Sequence, residues 1–294
     1  MPDSVSTPDF RDLSARVAAG LAGQRFDQAL AEAFSLSRRR VRRAIDEGGA
    51  YLNGKRVRTA GRKVQSNDRL RVVLLENEKL LPLAAEQLLW RDESLFLLHK
   101  RSGQYAQEAL HRSLGTLPLE LAALLELPAA QIPLLRPVHR LDRGTSGLML
   151  LCSDPARLQQ LQQHWQEAAD KRYVAVVEPA PDWQEQRIRL SISRQRNMHG
   201  CYTVDDEGRA SDTEARVIER RGTRAMVELV PHTGRTHQLR VHLAALGCPI
   251  LGDSRYGGKP HTRLMLHACD LSLSPPAMPE PHAWHADPEE DWTW

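Results

Sequence analysis

The stretch HRLDRGTSG, residues 139–147, places Asp142 among turn-forming residues directly before the apolar run at 148–152. An acid at the entrance to a buried strand is poorly solvated, so it needs a cationic partner. Acids held in this way are candidates for chemistry. A second polar cluster, TGRTHQLR at 233–240, contains arginines that could serve as that partner.

Positive charge is concentrated in the first third of the chain. The net charge is only +3, but residues 36–75 contain twelve Lys or Arg and three acids, giving +9 there and −6 elsewhere. A basic segment joined to an acidic body is typical of a module that binds nucleic acid. The charge pattern alone leaves open a solvated, arginine-rich face.

Local patterns predict the elements of this basic module. Apolar residues at helical spacing over 26–34 indicate one helix, and Ser37 is a good N-cap for a second. Asn-Gly at 53–54 predicts a tight hairpin turn. The apolar run at 70–74 completes the order helix, helix, hairpin, strand.

Strands and helices also alternate irregularly in the rest of the chain. Apolar runs at 95–98, 173–177 and 225–230 predict strands. Asp154 before a proline predicts the start of one helix, and another helix is expected to begin near Thr236. No regular strand–helix–strand period appears, so the fold class is mixed α+β.

These patterns divide the chain into four parts. We expect a flexible leader at 1–22, a small α/β module at 23–75, a linker at 76–87 and a mixed-sheet domain at 88–294 that includes a tryptophan-containing tail. The size of the last part suits a catalytic domain.

Several other function classes find no support in the sequence. The four cysteines are far apart and form no C-x-x-C pair, so no disulfide framework or zinc knuckle is predicted. Histidines spaced by five at 232, 237 and 242 do not share a helical face, which argues against a metal site. No phosphate-binding loop or dinucleotide fingerprint occurs. The start has no secretory signal, and the most apolar stretch, 117–135, is broken by acids and prolines. We therefore expect a cytoplasmic protein without a membrane partner.

Five sequence blocks together resemble the motifs of RluA-type pseudouridine synthases, and they occur in that family's order. The blocks lie at 139–147, 171–173, 233–240, 252–257 and 263–268. The resemblance covers about 88–275. The basic module at 23–75 is similar to the S4-like RNA-binding domain that several members of the family carry.

The resemblance implies an isomerase that detaches the uracil of a uridine in RNA and rejoins it through carbon 5, without cofactor or metal. In this family's pattern Asp142 matches the catalytic aspartate, and Arg240 matches the basic residue that pairs with it. Tyr173 matches the tyrosine expected to stack on the uracil. Arg140 matches the arginine thought to enter the RNA stack when the target base flips out, which this chemistry requires.

Further residues are expected to contact the RNA. Arg235, Thr236 and His237 are expected to line the same pocket or to position phosphates. Phosphate contacts in the basic module are assigned to Arg38, Arg39, Arg40, Arg42, Arg43 and Lys55. We expect a monomer that acts on ribosomal RNA of the large subunit, with transfer RNA as the alternative.

Two other functions remain open from the sequence. The basic module suits an RNA-binding or ribosome-assembly factor whose catalysis is dispensable. A nucleoside or glycoside hydrolase would need a second acid at a defined distance from the first, whereas the recognised blocks offer one candidate for a reacting acid, Asp142. The sequence also leaves open whether Asp142 attacks the sugar, attacks the base or removes a proton.

Overall fold

The computed structural model describes residues 9–76, 80–109, 112–196 and 200–294. The chain forms two compact units. The first contains the described residues of 6–82 and 107–121, and the second contains those of 83–106 and 122–294. Each unit has its own hydrophobic core, which is the defining property of a domain.

The first unit is a four-stranded sheet with two helices. The helices are α1 (Phe26–Ala33) and α2 (Arg38–Asp46), preceded by a 3₁₀ turn at Ala19–Leu21. The strands are β1 (Asp9–Arg16), β2 (Ala50–Leu52), β3 (Lys55–Arg56) and β4 (Arg69–Glu76), in the spatial order β1-β4-β2-β3. Phe26 and Leu30 of α1, Val41 and Ile45 of α2 and Val72 of β4 are buried in one core.

Two local expectations in this unit are confirmed. Ser37 caps α2, because its Oγ accepts a hydrogen bond from the Arg40 N–H at 3.3 Å. Asn53 and Gly54 join β2 to β3 with φ values of 52° and 77°. Two successive positive φ angles are the backbone of a type I′ turn, which matches the twist of a hairpin.

The expectation of a flexible leader at 1–22 is wrong for its described part; residues 1–8 lie outside the described residues. β1 pairs antiparallel with β4 from Asp9↔Glu76 to Arg16↔Arg69, and Val17 is buried. Polar residues interrupt this segment throughout, so it contains no apolar run that would mark a strand. An antiparallel strand can keep one face in water and therefore does not need such a run.

The segment 107–121 also departs from the sequence expectation, which placed it in the second domain. Glu108 accepts hydrogen bonds from Arg56 at 3.0 Å and from Arg58 at 2.6 Å. The hydroxyl of Ser113 donates to the Asp46 carbonyl at the end of α2. These polar contacts attach the segment to the first unit, and hydrophobic periodicity does not report contacts of that kind.

The second unit is built on one large mixed sheet. Its strands are β5 (Leu88–Arg91), β6 (Leu95–Lys100), β7 (Arg136–Pro137), β8 (Ser146–Cys152), β9 (Ala169–Val177), β10 (Glu185–Ile188), β11 (Ile192–Arg194), β12 (Tyr202–Val204), β13 (Thr213–Arg221), β14 (Arg224–Pro231), β15 (Leu266–Leu273) and β16 (His282–His285). The main sheet has the order β10-β13-β14-β9-β15-β8-β6-β5, with β7 on β8 and β16 on β15, while β11 and β12 form a separate hairpin.

The helices of this unit are α4 (Pro155–Ala168) and α5 (Gln238–Ala245); α3 (Leu117–Leu124) lies where the chain passes from the first unit to the second, and short 3₁₀ turns occur at Ala85–Gln87 and Ile132–Leu134. Asp154 caps α4 as predicted, because it accepts a hydrogen bond from the Arg157 N–H at 2.6 Å. The predicted strands fall within β6, β9 and β14, and the mixed α+β class is confirmed. Among the described residues, no helix is long and apolar enough to cross a membrane.

The position of the 139–147 stretch follows from one close approach between strands. β8 is parallel to β15 through the pairs His267↔Ser146 and Ala268↔Gly147. Gly147 has a φ of 115°, and a Cβ built on it would lie 2.2 Å from the Ala268 carbonyl oxygen. Only glycine fits there. This contact fixes the start of β8 and therefore the loop that carries Asp142.

Candidate active site

Asp142 lies in a tight turn before β8, with its side chain 19% exposed. The turn is closed by the Thr145 N–H, which donates to the Asp142 carbonyl at 3.1 Å. The carboxylate accepts a hydrogen bond from Arg240 Nη1 at 3.1 Å, and His237 Nε2 lies 3.6 Å from the same Oδ2 atom. Burial works against ionisation, but His237 and the Arg240 guanidinium hold the pKa of Asp142 below its usual range. The carboxylate is therefore ionised near neutral pH.

Arg240 is held in place from its other side. Its Nε and Nη2 donate to the two carboxylate oxygens of Asp253 at 2.7 and 2.8 Å, and its guanidinium lies 5.0 Å from the centre of the Tyr256 ring. A bidentate pair of this kind fixes the plane of the guanidinium. Arg240 on α5 thus presents one remaining N–H edge to Asp142.

His237 occupies the residue before α5 and is bound to a tyrosine. Its φ of 58° is left-handed, a conformation that histidine adopts more readily than most residues. Its Nδ1 lies 2.6 Å from the Tyr256 hydroxyl, and that hydroxyl also accepts a hydrogen bond from the Tyr202 N–H at 3.1 Å. Burial lowers the pKa of His237 to about 4, so the imidazole is neutral at pH 7.

Asp142, His237 and Arg240 line one cavity of about 140 Å³ together with the other residues of this region that the sequence singled out. Tyr173 enters it from β9, and burial and the Asp142 carboxylate raise its pKa, so the phenol keeps its proton. Arg140 is exposed at the rim. Arg235 and Thr236 line the cavity too, and Arg235 Nε donates to the Ala210 carbonyl at 3.0 Å. The structure therefore brings the seven predicted residues of this region to one place.

Lys100, at the end of β6, is buried behind the loop that carries Asp142 and donates hydrogen bonds to it. Its side chain is fully buried, and its Nζ donates to the carbonyl oxygens of Arg101, Arg143 and Thr145 at 3.2, 2.9 and 2.6 Å. Two of these carbonyls belong to the turn that follows Asp142. An ammonium group with three acceptors satisfies a backbone that would otherwise be buried without partners.

We predict that Lys100 makes the protein more stable as the pH rises from 7 towards 10. Burial lowers the pKa of Lys100 from 10.5 to about 7. Below pH 7 Lys100 is protonated in both the folded and the unfolded chain, and the cost of burying its charge is fully present. Between the two values the unfolded chain binds more protons, so the unfolding free energy rises by up to about 1.4 kcal/mol per pH unit.

Urea denaturation of the wild type and of Lys100→Met over this pH range checks the prediction. The difference in unfolding free energy between them should change in favour of the wild type as the pH rises. The prediction is wrong if the unfolding free energies of the two proteins change in parallel with pH.

Behind the loop, residues near the end of the chain complete a buried polar network. Arg263 is 3% exposed, and its Nη1 lies 2.6 Å from Glu289 and 2.7 Å from Asp291. Its Nη2 donates to Ser146 Oγ, and Glu289 accepts a hydrogen bond from the Ser102 N–H at 3.3 Å. The region after β16 therefore supports the start of β8.

One group of side chains in this network has the composition of a metal site. The ligand atoms of His99, His267 and Glu289 lie within 4.8 Å of one another. However, both nitrogens of His267 are engaged, one with Ser146 Oγ at 2.8 Å and the other with the Ala286 carbonyl at 2.9 Å. Glu289 is bound to the Ser102 N–H and to the neighbouring guanidinium. The group therefore fits a hydrogen-bond network better than a cation.

The predicted RNA-binding residues of the basic module all lie in the first unit. Arg38, Arg39, Arg42 and Arg43 are exposed on α2, Arg40 is half-buried there, and Lys55 is exposed on β3. The four exposed arginines line an open groove of about 600 Å³. Arg42 pairs with Asp27 at 3.5 Å and Arg43 with Glu47 at 2.9 Å. The side chains of Arg42 and Arg43 are nevertheless 56% and 66% exposed, so both remain accessible to phosphates.

We predict that the double variant Arg38→Gln, Arg39→Gln binds RNA more weakly and with a weaker dependence on salt. Because the variant neutralises fewer phosphates, its binding releases fewer counterions. The slope of log affinity against log salt should therefore become less steep by about one to two. Filter binding at several salt concentrations measures it. Arg11→Gln, exposed on β1 instead of α2, is the matched control. An unchanged slope in the double variant would refute phosphate contact.

Several residues of the site were not singled out by the sequence reasoning. Asp253 and Tyr256 stand in one of the recognised blocks, but nothing local shows that they hold Arg240 and His237. Lys100 ends an apolar strand, and because lysine is rarely fully buried, nothing local marks it as a buried cation. The residues that support β8 from near the end of the chain gave no comparable sign.

Comparison with known proteins identifies the families that this chain resembles. A family described as RNA pseudouridylate synthase matches residues 95–245, and the S4 domain family matches residues 24–70. An uncharacterized RNA pseudouridine synthase of Chlorobaculum parvum is 32% identical, over 87% of this chain and 88% of its own. The ribosomal large subunit pseudouridine synthase D of Pasteurella multocida is 30% identical, over 93% and 90%. The solved structure of human RNA pseudouridylate synthase domain containing 4 has a TM-score of 0.58 and 25% identity, covering 70% of this chain and 90% of its own.

Proposed function

The chain belongs to the RNA pseudouridylate synthase family, whose members are isomerases, and on that premise we propose that it converts specific uridines of large-subunit ribosomal RNA into pseudouridine. Asp142 is proposed as the reacting carboxylate. The observation that carries this assignment is the contact between Asp142 and Arg240 inside the cavity that Tyr173 also lines.

The environment of Asp142 suits the first chemical step. Breaking the bond between C1′ and N1 either builds positive charge on the sugar or requires a nucleophile. An ionised carboxylate serves both needs, and Arg240 helps to keep it ionised although it is largely buried. Because Asp253 holds Arg240, the carboxylate is oriented before the RNA arrives, which lowers the cost of reaching the transition state.

The neighbouring side chains suit a flipped-out uracil. A base within a helix cannot be detached and rotated, so it must leave the stack. Tyr173 offers an aromatic face within the cavity, and the exposed Arg140 at its rim can enter the space that the base vacates. Arg235 and Thr236 are proposed to contact phosphates, and no cofactor or metal is proposed to take part.

The RNA target is inferred from two sources. Pasteurella multocida synthase D is named as a large-subunit enzyme, and the S4-like module carries exposed arginines and Lys55 in the first unit. We propose that this module binds ribosomal RNA and that the protein works as a monomer in the cytoplasm.

Pseudouridine mapping in cells with and without the gene tests the function. One or more large-subunit sites should disappear on deletion and return with the wild-type gene, but not with Asp142→Asn. Loss of transfer RNA sites instead would correct the target. Loss of no site in any RNA would reject the proposed function. If Asp142→Asn repairs a growth or ribosome-assembly defect without restoring the modification, RNA binding is the essential role.

A further inference from the structure

Besides the step at Asp142, the isomerisation needs a group that accepts a proton. When C5 of the uracil has bonded to C1′, it carries both the sugar and its original hydrogen. The C5–H bond must then break, and its electron pair forms the C5=C6 double bond. The N1=C6 electron pair moves to N1, which takes up a proton. One proton is thus transferred in total from C5 to N1, with no oxidant or reductant.

Resting on the proposed function, we propose that His237 is the base that removes the C5 proton, through Nε2, with Tyr256 holding the ring in position. Nε2 faces the reaction centre, because it lies 3.6 Å from Asp142 Oδ2 on the wall of the same cavity. Nδ1 is engaged at 2.6 Å by the Tyr256 hydroxyl.

The other side chains around the cavity are poor proton acceptors. Arg140, Arg235 and Arg240 carry guanidinium groups, which are hydrogen-bond donors with no acceptor atom. The raised pKa of Tyr173 keeps its phenol protonated. Asp142 is already assigned to the first step, and its Oδ2 accepts a hydrogen bond from Arg240. Among the described residues that line the cavity, the neutral imidazole of His237 is therefore the best proton acceptor. A weak base suffices, because the C5–H bond lies between a carbonyl and a C=N bond and is acidic.

The hydrogen-bond pattern around Tyr256 is compatible with the required tautomer. Its hydroxyl oxygen already accepts the Tyr202 N–H and can also accept an Nδ1–H from His237. With the proton on Nδ1, Nε2 keeps its lone pair. The distance of 3.6 Å from Nε2 to the carboxylate is too long for a hydrogen bond, so Nε2 is not committed to Asp142. Once protonated, the imidazolium would be stabilised by that nearby carboxylate.

The backbone of His237 is also consistent with a functional role. The residue has a φ of 58° directly before α5, and its ring makes edge-to-face contacts with Tyr202 and Tyr256 at 5.4 and 5.6 Å. Left-handed conformations in residues other than glycine cluster at active sites, where the surrounding structure maintains them.

A deuterium isotope effect distinguishes a residue that removes the C5 proton from one that only orients the uracil. The substrate is a transcript of the RNA segment in which mapping has located the wild-type product, made with hydrogen or with deuterium at C5 of uridine. The test variant is His237→Asn, because asparagine tolerates a positive φ and can still bond Tyr256 but has no basic Nε2. His261→Gln changes a half-buried histidine outside the cavity that is bonded to the Thr293 carbonyl, and it is the matched control.

We expect His237→Asn to lose about 100-fold or more in turnover, with nearly unchanged RNA affinity and a larger deuterium effect than the wild type. Tyr256→Phe should show a smaller loss of turnover and also a larger deuterium effect. If thermal melting shows that His237→Asn does not fold, the deuterium effect of Tyr256→Phe tests the proposal instead. The control should match the wild type.

A loss of turnover without an increase in the deuterium effect would overturn the proposal and assign His237 to positioning. Wild-type turnover in His237→Asn would overturn it as well. Both results leave the proposed function standing, which fails only if the wild type forms no pseudouridine.

Discussion

Replacing Asp142 by asparagine is expected to abolish pseudouridine formation while RNA affinity stays nearly unchanged. Asparagine keeps the size of the side chain and can still accept a hydrogen bond from Arg240, but it carries no charge. Loss of a reacting side chain lowers turnover by roughly four to six orders of magnitude in enzymes where this was dissected. Single-turnover assays on the mapped RNA, together with filter binding, measure both quantities.

The control for this experiment is Asp170→Asn, an exposed acid on β9. It should retain wild-type turnover. If Asp142→Asn also turns over at the wild-type rate on a verified substrate, Asp142 is not the reacting group. A parallel loss of RNA affinity would instead indicate that Asp142 is needed to shape the cavity.

The second large effect is expected for Arg240→Gln, which should lose both activity and stability. Arg240 lies between Asp142 and Asp253, and its side chain is only 12% exposed. Breaking a buried ion pair by removing one partner costs about 3–5 kcal/mol, because the other charge stays buried and unpaired. Urea denaturation measures the loss of stability.

Arg240→Lys is the matched variant, since it keeps the charge but cannot bind Asp253 in a bidentate manner. It should recover part of the stability and little of the activity. In both variants the pKa of Asp142 should rise, so any residual activity should decline on the acid side at a higher pH than in the wild type. A Gln variant as stable as the wild type would show that the two carboxylates do not depend on this guanidinium.

Some of the fold could be predicted because the deciding information is local. The Ser37 cap, the turn at 53–54 and the Asp154 cap each depend on residues within a few positions of one another. The strand β1 could not be predicted in the same way, since its pairing with β4 joins residues more than fifty positions apart. Its interspersed polar residues leave no apolar run to mark it.

The contacts of the site likewise differ in whether the sequence could predict them. Asp142 and Arg240 are 98 positions apart, and their pairing was predicted from the resemblance to a family and not from any local pattern. The contacts of Asp253 with Arg240 and of Tyr256 with His237 required the tertiary structure. Hydrogen bonds between distant side chains have no periodicity that a single sequence could reveal.

The contact of Arg263 with residues near the end of the chain sets a lower limit on any shortened form of this enzyme. The family match stops at residue 245, yet the carboxylates that neutralise the guanidinium belong to Glu289 and Asp291. A fragment that ended between Leu266 and Glu289 would keep every residue that lines the cavity. It would nevertheless lack both carboxylates that pair with Arg263 next to Ser146, so a usable catalytic fragment must extend at least through Glu289.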